Sequence, residues 1–392
     1  MYTNTKNISL NEKILITLFF CFLYIYIFFY FKGNQSIFAK IENPIISTYK
    51  SYSALLMTII SIIFYCNKKI KDNSTSNVFK VFAFFAIVVT FFNEYNNTYK
   101  LYINQFTSMT LWVFVYLFFY TLFSRIEIPE KRISKLVTIN TILFFILFLT
   151  NYLLGRSIGI KYQYIESYYC IAMLPLIFIY SGKSKKYLIY IVIAAAILSA
   201  KRTGMITCCS VLLLYYFTKE KNIINKIKSI SSFVILALLA YFLASYLIGD
   251  QLALIIERFN NISEDGGSGR DTVFEKVFTF ILNSSETELF FGHGYNTVVE
   301  TSIGYSAHND FLEVTYDYGL IGLIIYLSIY ISLFSKIKHI KSQNYRSAYI
   351  CSLIIFLINS TFSHMILFPN SIIVLCSFWG ITDGYISSSK YK

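Results

Sequence analysis

Apolar runs of roughly twenty residues, separated by short Lys/Arg-rich connections, recur along almost the whole 392-residue chain. A helix needs about 20 predominantly apolar residues to cross a bilayer. The pattern predicts about twelve such helices, near 14–31, 46–66, 78–95, 103–123, 136–154, 165–181, 186–200, 203–218, 229–249, 319–334, 347–363 and 365–386. Lys50 inside the second, Asn104, Gln105 and Ser108 in the fourth, and the shortness of the seventh and eighth leave a count of ten to twelve. The expected class is all-α: a polytopic integral membrane protein forming one membrane domain over 1–392. The first run follows Lys6 and Lys13 and has no small-residue cleavage site, so it reads as an uncleaved span.

One stretch breaks the pattern. Residues 250–318 form a long polar interruption that holds 12 of the chain's 21 acidic residues and two of its four histidines. Its basic residues are Arg258, Arg270 and Lys276. Short amphipathic helices are expected inside this loop. Val273, Phe274, Val277, Phe278 and Ile281 share one face at helical spacing. The flexible Glu264–Gly269 turn precedes that helix, with Ser268 and Asp271 as a capping pair. Arg270 then falls in the first turn, beside free amides and the positive end of the dipole, which outlines an anion site. A second helix is expected from about His308 to Tyr318, ending at Gly319 where the next span begins.

Composition agrees with the pattern: 56% hydrophobic, 14% charged, and a positive mean hydropathy of +0.57. A soluble globular domain has a much higher charged share. The net charge of +13 raises nucleic acid as a partner, but its distribution argues against it. Numbering the connections alternately, 22 of the 34 basic residues fall on the side of the N-terminus and 10 on the other, with Lys50 and Lys80 inside spans. The positive-inside rule puts both termini in the cytoplasm and the 250–318 loop outside. The seven cysteines lie in or at the ends of spans, none in the external loop, so no disulfide framework or C-x-x-C motif is expected.

The candidate chemistry lies on the outer side in three pieces. Lys201-Arg202-Thr203-Gly204 is a tight connection between two spans. Ser268-Gly269-Arg270-Asp271 opens the loop helix. Gly292-His293-Gly294-Tyr295 leads to Ala307-His308-Asn309-Asp310-Phe311-Leu312-Glu313 and then to Tyr318-Gly319-Leu320-Ile321-Gly322. In this order, spacing and topology, over about 190–335, the chain resembles the O-antigen polymerase and ligase family of bacterial membrane glycosyltransferases. The first 180 residues match that family only in hydropathy and span count.

The resemblance implies an inner-membrane enzyme that moves a glycan from undecaprenyl diphosphate to a sugar hydroxyl, without cofactor or metal. Its partners are the carrier-linked glycan and the lipid bilayer, with a chain-length regulator as a further candidate. A lipid diphosphate is already a good leaving group, so the site needs cations for developing phosphate charge, and Arg supplies bidentate contacts. Arg202 and Arg270 take that role, and His308 is the base for the acceptor hydroxyl. Lys201, Asp271, His293, Asn309, Asp310 and Glu313 are the expected substrate-binding residues.

Plainer roles stand beside these. Lys201 and Arg202 can anchor a span at the headgroups, Arg270 can be a solvated helix residue, and His308 can cap its helix. His293, between two glycines, reads as structural, and His339 and His364 as bystanders. His308 with Asp310 lacks the third ligand that a metal site requires. The Asn-Asp-Phe-Leu-Glu and Asp-Tyr-Gly-Leu-Ile-Gly runs favour a polymerase over a ligase. A transporter or flippase is the alternative of another class. Such proteins place charges in mid-membrane, whereas here Lys50, Glu166 and Asp383 form no obvious pair.

The topology is directly testable. A reporter fused near Ser285 should be active only outside the cytoplasm, and one near Lys226 only inside. The reverse pattern would put the candidate loop on the wrong side of the membrane for an external glycan.

Overall fold

The computed structural model describes residues 9–38, 44–67, 72–92, 99–159, 164–220, 266–301, 303–304, 306–366 and 371–388, with isolated positions between 222 and 260. The fold is helical, and no strand occurs among the described residues. In chain order the α-helices are α1 (Leu10–Phe38), α2 (Pro44–Cys66), α3 (Ser74–Phe92), α4 (Tyr99–Arg125), α5 (Glu130–Ser157), α6 (Ser167–Ala172), α7 (Leu174–Tyr180), α8 (Lys185–Leu198) and α9 (Arg202–Lys219). They continue with α10 (Gly266–Leu282), α11 (Glu286–Phe291), α12 (Asp310–Lys336), α13 (Gln343–Phe362) and α14 (Ile372–Ser387).

Among the described residues seven helices, α1 to α5, α12 and α13, are long and apolar enough to cross a membrane. The runs at 186–200 and 203–218 form α8 and α9, and the last run forms the shorter apolar α14. The run at 229–249 lies outside the described residues. The span expected at 165–181 is interrupted at Met173, where α6 gives way to α7. Pro175 is the cause: it has no N–H to donate back to Ile171, so the regular helical ladder cannot run through it.

The chain divides into two compact units. The first comprises Met1–Arg132, Val273–His339 and Ser360–Lys392, the second Ile133–Thr272 and Ile340–Asn359.

In the first unit α4 is the central helix, with Thr110–Val113, Val115–Thr121 and Leu122–Phe123 all buried. α14 packs against it through Gly380 and Gly384. An added Cβ on Gly380 would stand 2.6 Å from the Tyr116 carbonyl oxygen, and one on Gly384 2.8 Å from Phe123 Cβ. Small residues four apart let two backbones approach where lipid provides no hydrophobic drive between helices. Next to Gly384, the buried Asp383 accepts hydrogen bonds from the Tyr116 hydroxyl (2.7 Å) and the Asn73 amide (3.2 Å), with Lys336 Nζ at 3.7 Å. The charge that stands alone in the sequence is therefore paired, and α4, α12, α14 and Asn73, just ahead of α3, share it.

The second unit holds α5 to α9 and most of α13. Its ties are polar as well as apolar. Asn151 donates to the buried Glu166 (2.7 Å), Thr207 to Asn359 Oδ1 (3.4 Å), and Gln343 to the Thr218 carbonyl (2.6 Å).

The α4–α14 contact gives a stability prediction. Gly380→Leu should lower the thermal midpoint of the detergent-purified protein, the expected cost of overpacking being about 1–3 kcal/mol. An unchanged midpoint would mean that the two helices are not in backbone contact.

Candidate active site

The loop before α12 is organised by two glycines in conformations that essentially only glycine adopts. Ser285 opens α11 with a reciprocal capping box: its hydroxyl accepts from the Glu288 N–H (3.4 Å), and Glu288 accepts from the Ser285 N–H (2.9 Å). The helix stops at Gly292 (φ 81°, ψ −178°), while α12 is kinked at Gly319 (φ 66°, ψ −174°). That region of backbone space is essentially confined to glycine. The two positions also face one another's backbones. A Cβ on Gly292 would strike Asp317 and Tyr318, and one on Gly319 would strike Phe290 and Phe291.

The kink leaves the carbonyls of Tyr316 and Asp317 to new partners. The His293 N–H donates to Tyr316 O (3.1 Å) and the Gly294 N–H to Asp317 O (2.8 Å). The Asp317 side chain, fully buried, accepts from Asn296 N–H (2.6 Å), Thr297 N–H (3.1 Å) and the Thr297 hydroxyl (2.9 Å). It thereby caps the 3-10 turn Thr297–Glu300 from outside. Below this loop Val273, Val277 and Ile281 of α10 pack with Val298, Ile303 and Ala307. Of the five residues expected on the apolar face of α10, Phe274 is half-buried and Phe278 exposed.

His293 is locked by the same framework. Its Nε2 lies 3.0 Å from Ser284 Oγ, its Nδ1 3.5 Å from Glu288 Oε1, and its ring stacks on Tyr316 at 4.2 Å. Burial pushes its pKa below the usual histidine value, and Glu288 opposes that shift. The hydroxyl and N–H of Ser285 hold the Glu288 carboxyl below its ordinary range.

The His308 segment is built differently. Helix α12 begins at Asp310, close to the start expected near His308, and its first segment ends at the non-helical Gly319, where the next helical segment begins as the sequence suggests. Asn309 is its N-cap: Oδ1 accepts from the Leu312 N–H (3.1 Å) and Nδ2 donates to the Thr361 carbonyl (3.0 Å). Both Asp310 oxygens accept from the Met365 N–H (3.1 Å), and Tyr326 donates to Oδ2 (3.2 Å). Glu313 is fully buried and accepts from the Ala307 N–H through Oε1 (2.9 Å). These three side chains therefore tie the loop to the helices.

His308 itself adopts φ 55°, rare for a residue with a Cβ. Its ring stacks on His364, centroids 4.5 Å apart and planes at 26°. His364, a bystander in the sequence, is thus brought to the central histidine. Its Nδ1 lies 3.3 Å from Ser306 Oγ and 3.8 Å from Glu313 Oε2. Among the described residues, no group of three or more His, Cys, Asp or Glu is placed to hold a metal ion.

The other expected site residues belong to the second unit. Ala200 (φ 50°) turns the chain into Lys201, the half-buried N-cap of α9, and Arg202 is that helix's first residue, 8% exposed. Arg270 is half-buried and Asp271 exposed. Helix α10 starts at Gly266, earlier than expected, but Gly269 (φ 75°) interrupts its regular turns just before Arg270. The side chain of Ser268, the expected cap, lies outside the described residues. Asp317 and His364 escaped the sequence reading, although a carboxylate two residues before the span-opening glycine was a visible signal.

The fold is thus that of a polytopic helical membrane protein with a capped, histidine-bearing loop feeding a span. Residues 187–327 match the family model described as O-antigen ligase. That match supports the O-antigen polymerase and ligase family for this chain and, at family level, a glycosyltransferase. No curated protein matches the chain.

The His293 environment predicts a pH effect. A ring with a lowered folded pKa contributes stability that is present above the unfolded value of about 6.5 and is lost as pH falls toward the folded pKa. The thermal midpoint of the native protein should therefore drop more steeply on acidification than that of His293→Gln. Parallel curves would show that the ring is as free to ionise in the fold as in the unfolded chain.

Proposed function

We propose that this protein is a polysaccharide polymerase that transfers glycan from undecaprenyl diphosphate to a hydroxyl of another carrier-linked repeat unit. The observation that carries the reading is the family match over 187–327, a stretch that contains Arg202, Arg270 and His308 together. The protein acts from the cell membrane, with the loop on its outer side. The sugar C–O bond to the diphosphate breaks as a new C–O bond to the acceptor forms. The acceptor proton goes to neutral His308, and the lipid diphosphate departs with its charge on Arg202 and Arg270, supported by Lys201. Planar guanidinium groups suit that task because they bind two phosphate oxygens at once. The buried carboxylates Asp310 and Glu313, with Asn309, hold the His308 loop in place, and His293 secures the loop further along.

A ligase that moves finished polymer to lipid A-core is the second reading, favoured by the description of the matched family as O-antigen ligase. The two differ in what accumulates.

In a null strain, His308→Ala should give no polymer, since losing a general base costs about 10²–10⁴-fold in rate. A single repeat unit on the core marks a polymerase; bare core with long chains trapped on the carrier marks a ligase. Arg202→Ala and Arg270→Ala should fail in the same way at normal protein level, and the Lys variants should rescue poorly. Normal ladders from His308→Ala would remove the base from this residue.

A further inference from the structure

We infer that His364 is a positioning residue for His308, held for that purpose by Glu313 and Ser306. The inference rests on the reading of His308 as the base. Three observations converge on it. First, Glu313 is fully buried and only Oε1 is hydrogen-bonded, to the Ala307 N–H; Oε2 has no hydrogen-bond partner and lies 3.8 Å from His364 Nδ1. A carboxylate oxygen withdrawn from water is costly unless a donor or cation faces it, and the imidazole supplies that partner. Second, Ser306 Oγ stands 3.3 Å from the same nitrogen. Both contacts address Nδ1 and so fix the orientation of the ring. Third, the oriented ring is the surface on which His308 stacks at 4.5 Å, and His308 has a backbone conformation that needs outside support.

Among the described residues, the titratable groups around His364 include His308 from the loop, Glu313 from the first turn of α12, and Asp310 from the same turn, which accepts from the N–H of the next residue, Met365. In the transfer step the acceptor proton moves to His308 alone, and His364 neither gains nor loses one. Its contribution is to keep the base at the angle the hydroxyl requires, on a ring held by the Glu313 and Ser306 side chains. A small misplacement of a reacting group can cost about 10²-fold in rate.

The test uses full-length protein in lipid nanodiscs, with carrier-linked glycan extracted from cells lacking the protein as donor and acceptor. His364→Phe keeps a stacking ring but has no nitrogen, whereas His364→Asn places an amide nitrogen near the position of Nδ1. The expected result is a roughly 10²-fold lower turnover for the Phe variant with KM for the glycan little changed, and partial rescue by the Asn variant. Glu313→Gln, which keeps the acceptor for Ala307 but replaces the oxygen facing His364 with an amide nitrogen, should also lower turnover at unchanged protein level. Native turnover in His364→Phe, or an Asn variant no better than Phe, would overturn the inference. If His308→Ala is itself fully active, the underlying reading of the base has failed instead, and the two failures are told apart in one assay.

Discussion

The rest of the loop depends on one constraint: a helix that bends must find partners for the backbone groups it releases. Inside a bilayer no water is available to satisfy them. Helix α12 bends at Gly319, and the carbonyls of Tyr316 and Asp317 are taken by the N–H groups of His293 and Gly294. The Gly-His-Gly run is therefore a backbone plug. Gly292 and Gly319 allow α11 and α12 to meet main chain to main chain, and a single Cβ at either would collide with the facing backbone. Asp317 completes the plug by capping the turn that follows, which fixes the direction in which the chain leaves toward His308.

This framework separates two histidines that look alike in the sequence. His293 has Ser284 and Glu288 on its nitrogens and Tyr316 against its face, so its ring is committed to the fold. His308 lies on the segment between the plug and the N-cap of α12, with a second imidazole for a neighbour. The carboxylates around it face inward to backbone N–H groups, Asp310 to Met365 and Glu313 to Ala307, and so brace the segment from both ends. Buried acids that bind main chain in this way rigidify the segment they hold.

Local features were legible in the sequence because their physics is local. The start of α12 near His308 and its break at Gly319 follow from an Asn cap and a glycine, and the buried face of α10 follows from helical spacing at Val273, Val277 and Ile281. The interruption at Met173 could have been read from Pro175. The close α4–α14 contact could have been read from Gly380 and Gly384, four apart. Other features join residues far apart in the chain. His364 reaches His308 across 56 positions, and Asp383 reaches Asn73 across 310. No periodicity encodes such pairs, and each side chain taken alone looked like a bystander or an isolated charge.

Backbone strain offers an independent pointer to where function sits. Among the described residues, three with a Cβ adopt positive φ: Ala200, Asn296 and His308. Asn tolerates that region well, and Asn296 is stabilised there by Asp317. His also visits that region more often than most residues, whereas Ala rarely does, and strain of this kind persists only where the surroundings over-determine it. Ala200 immediately precedes Lys201 and Arg202, and His308 is the central histidine of the loop. Two of the three positive-φ residues with a Cβ thus adjoin or belong to the cationic and imidazole motifs that the family resemblance singles out. A backbone held in this region fixes the direction of the side chains that follow it, so the turn at Ala200 sets where α9 begins with Arg202, and the turn at His308 sets how its ring meets His364.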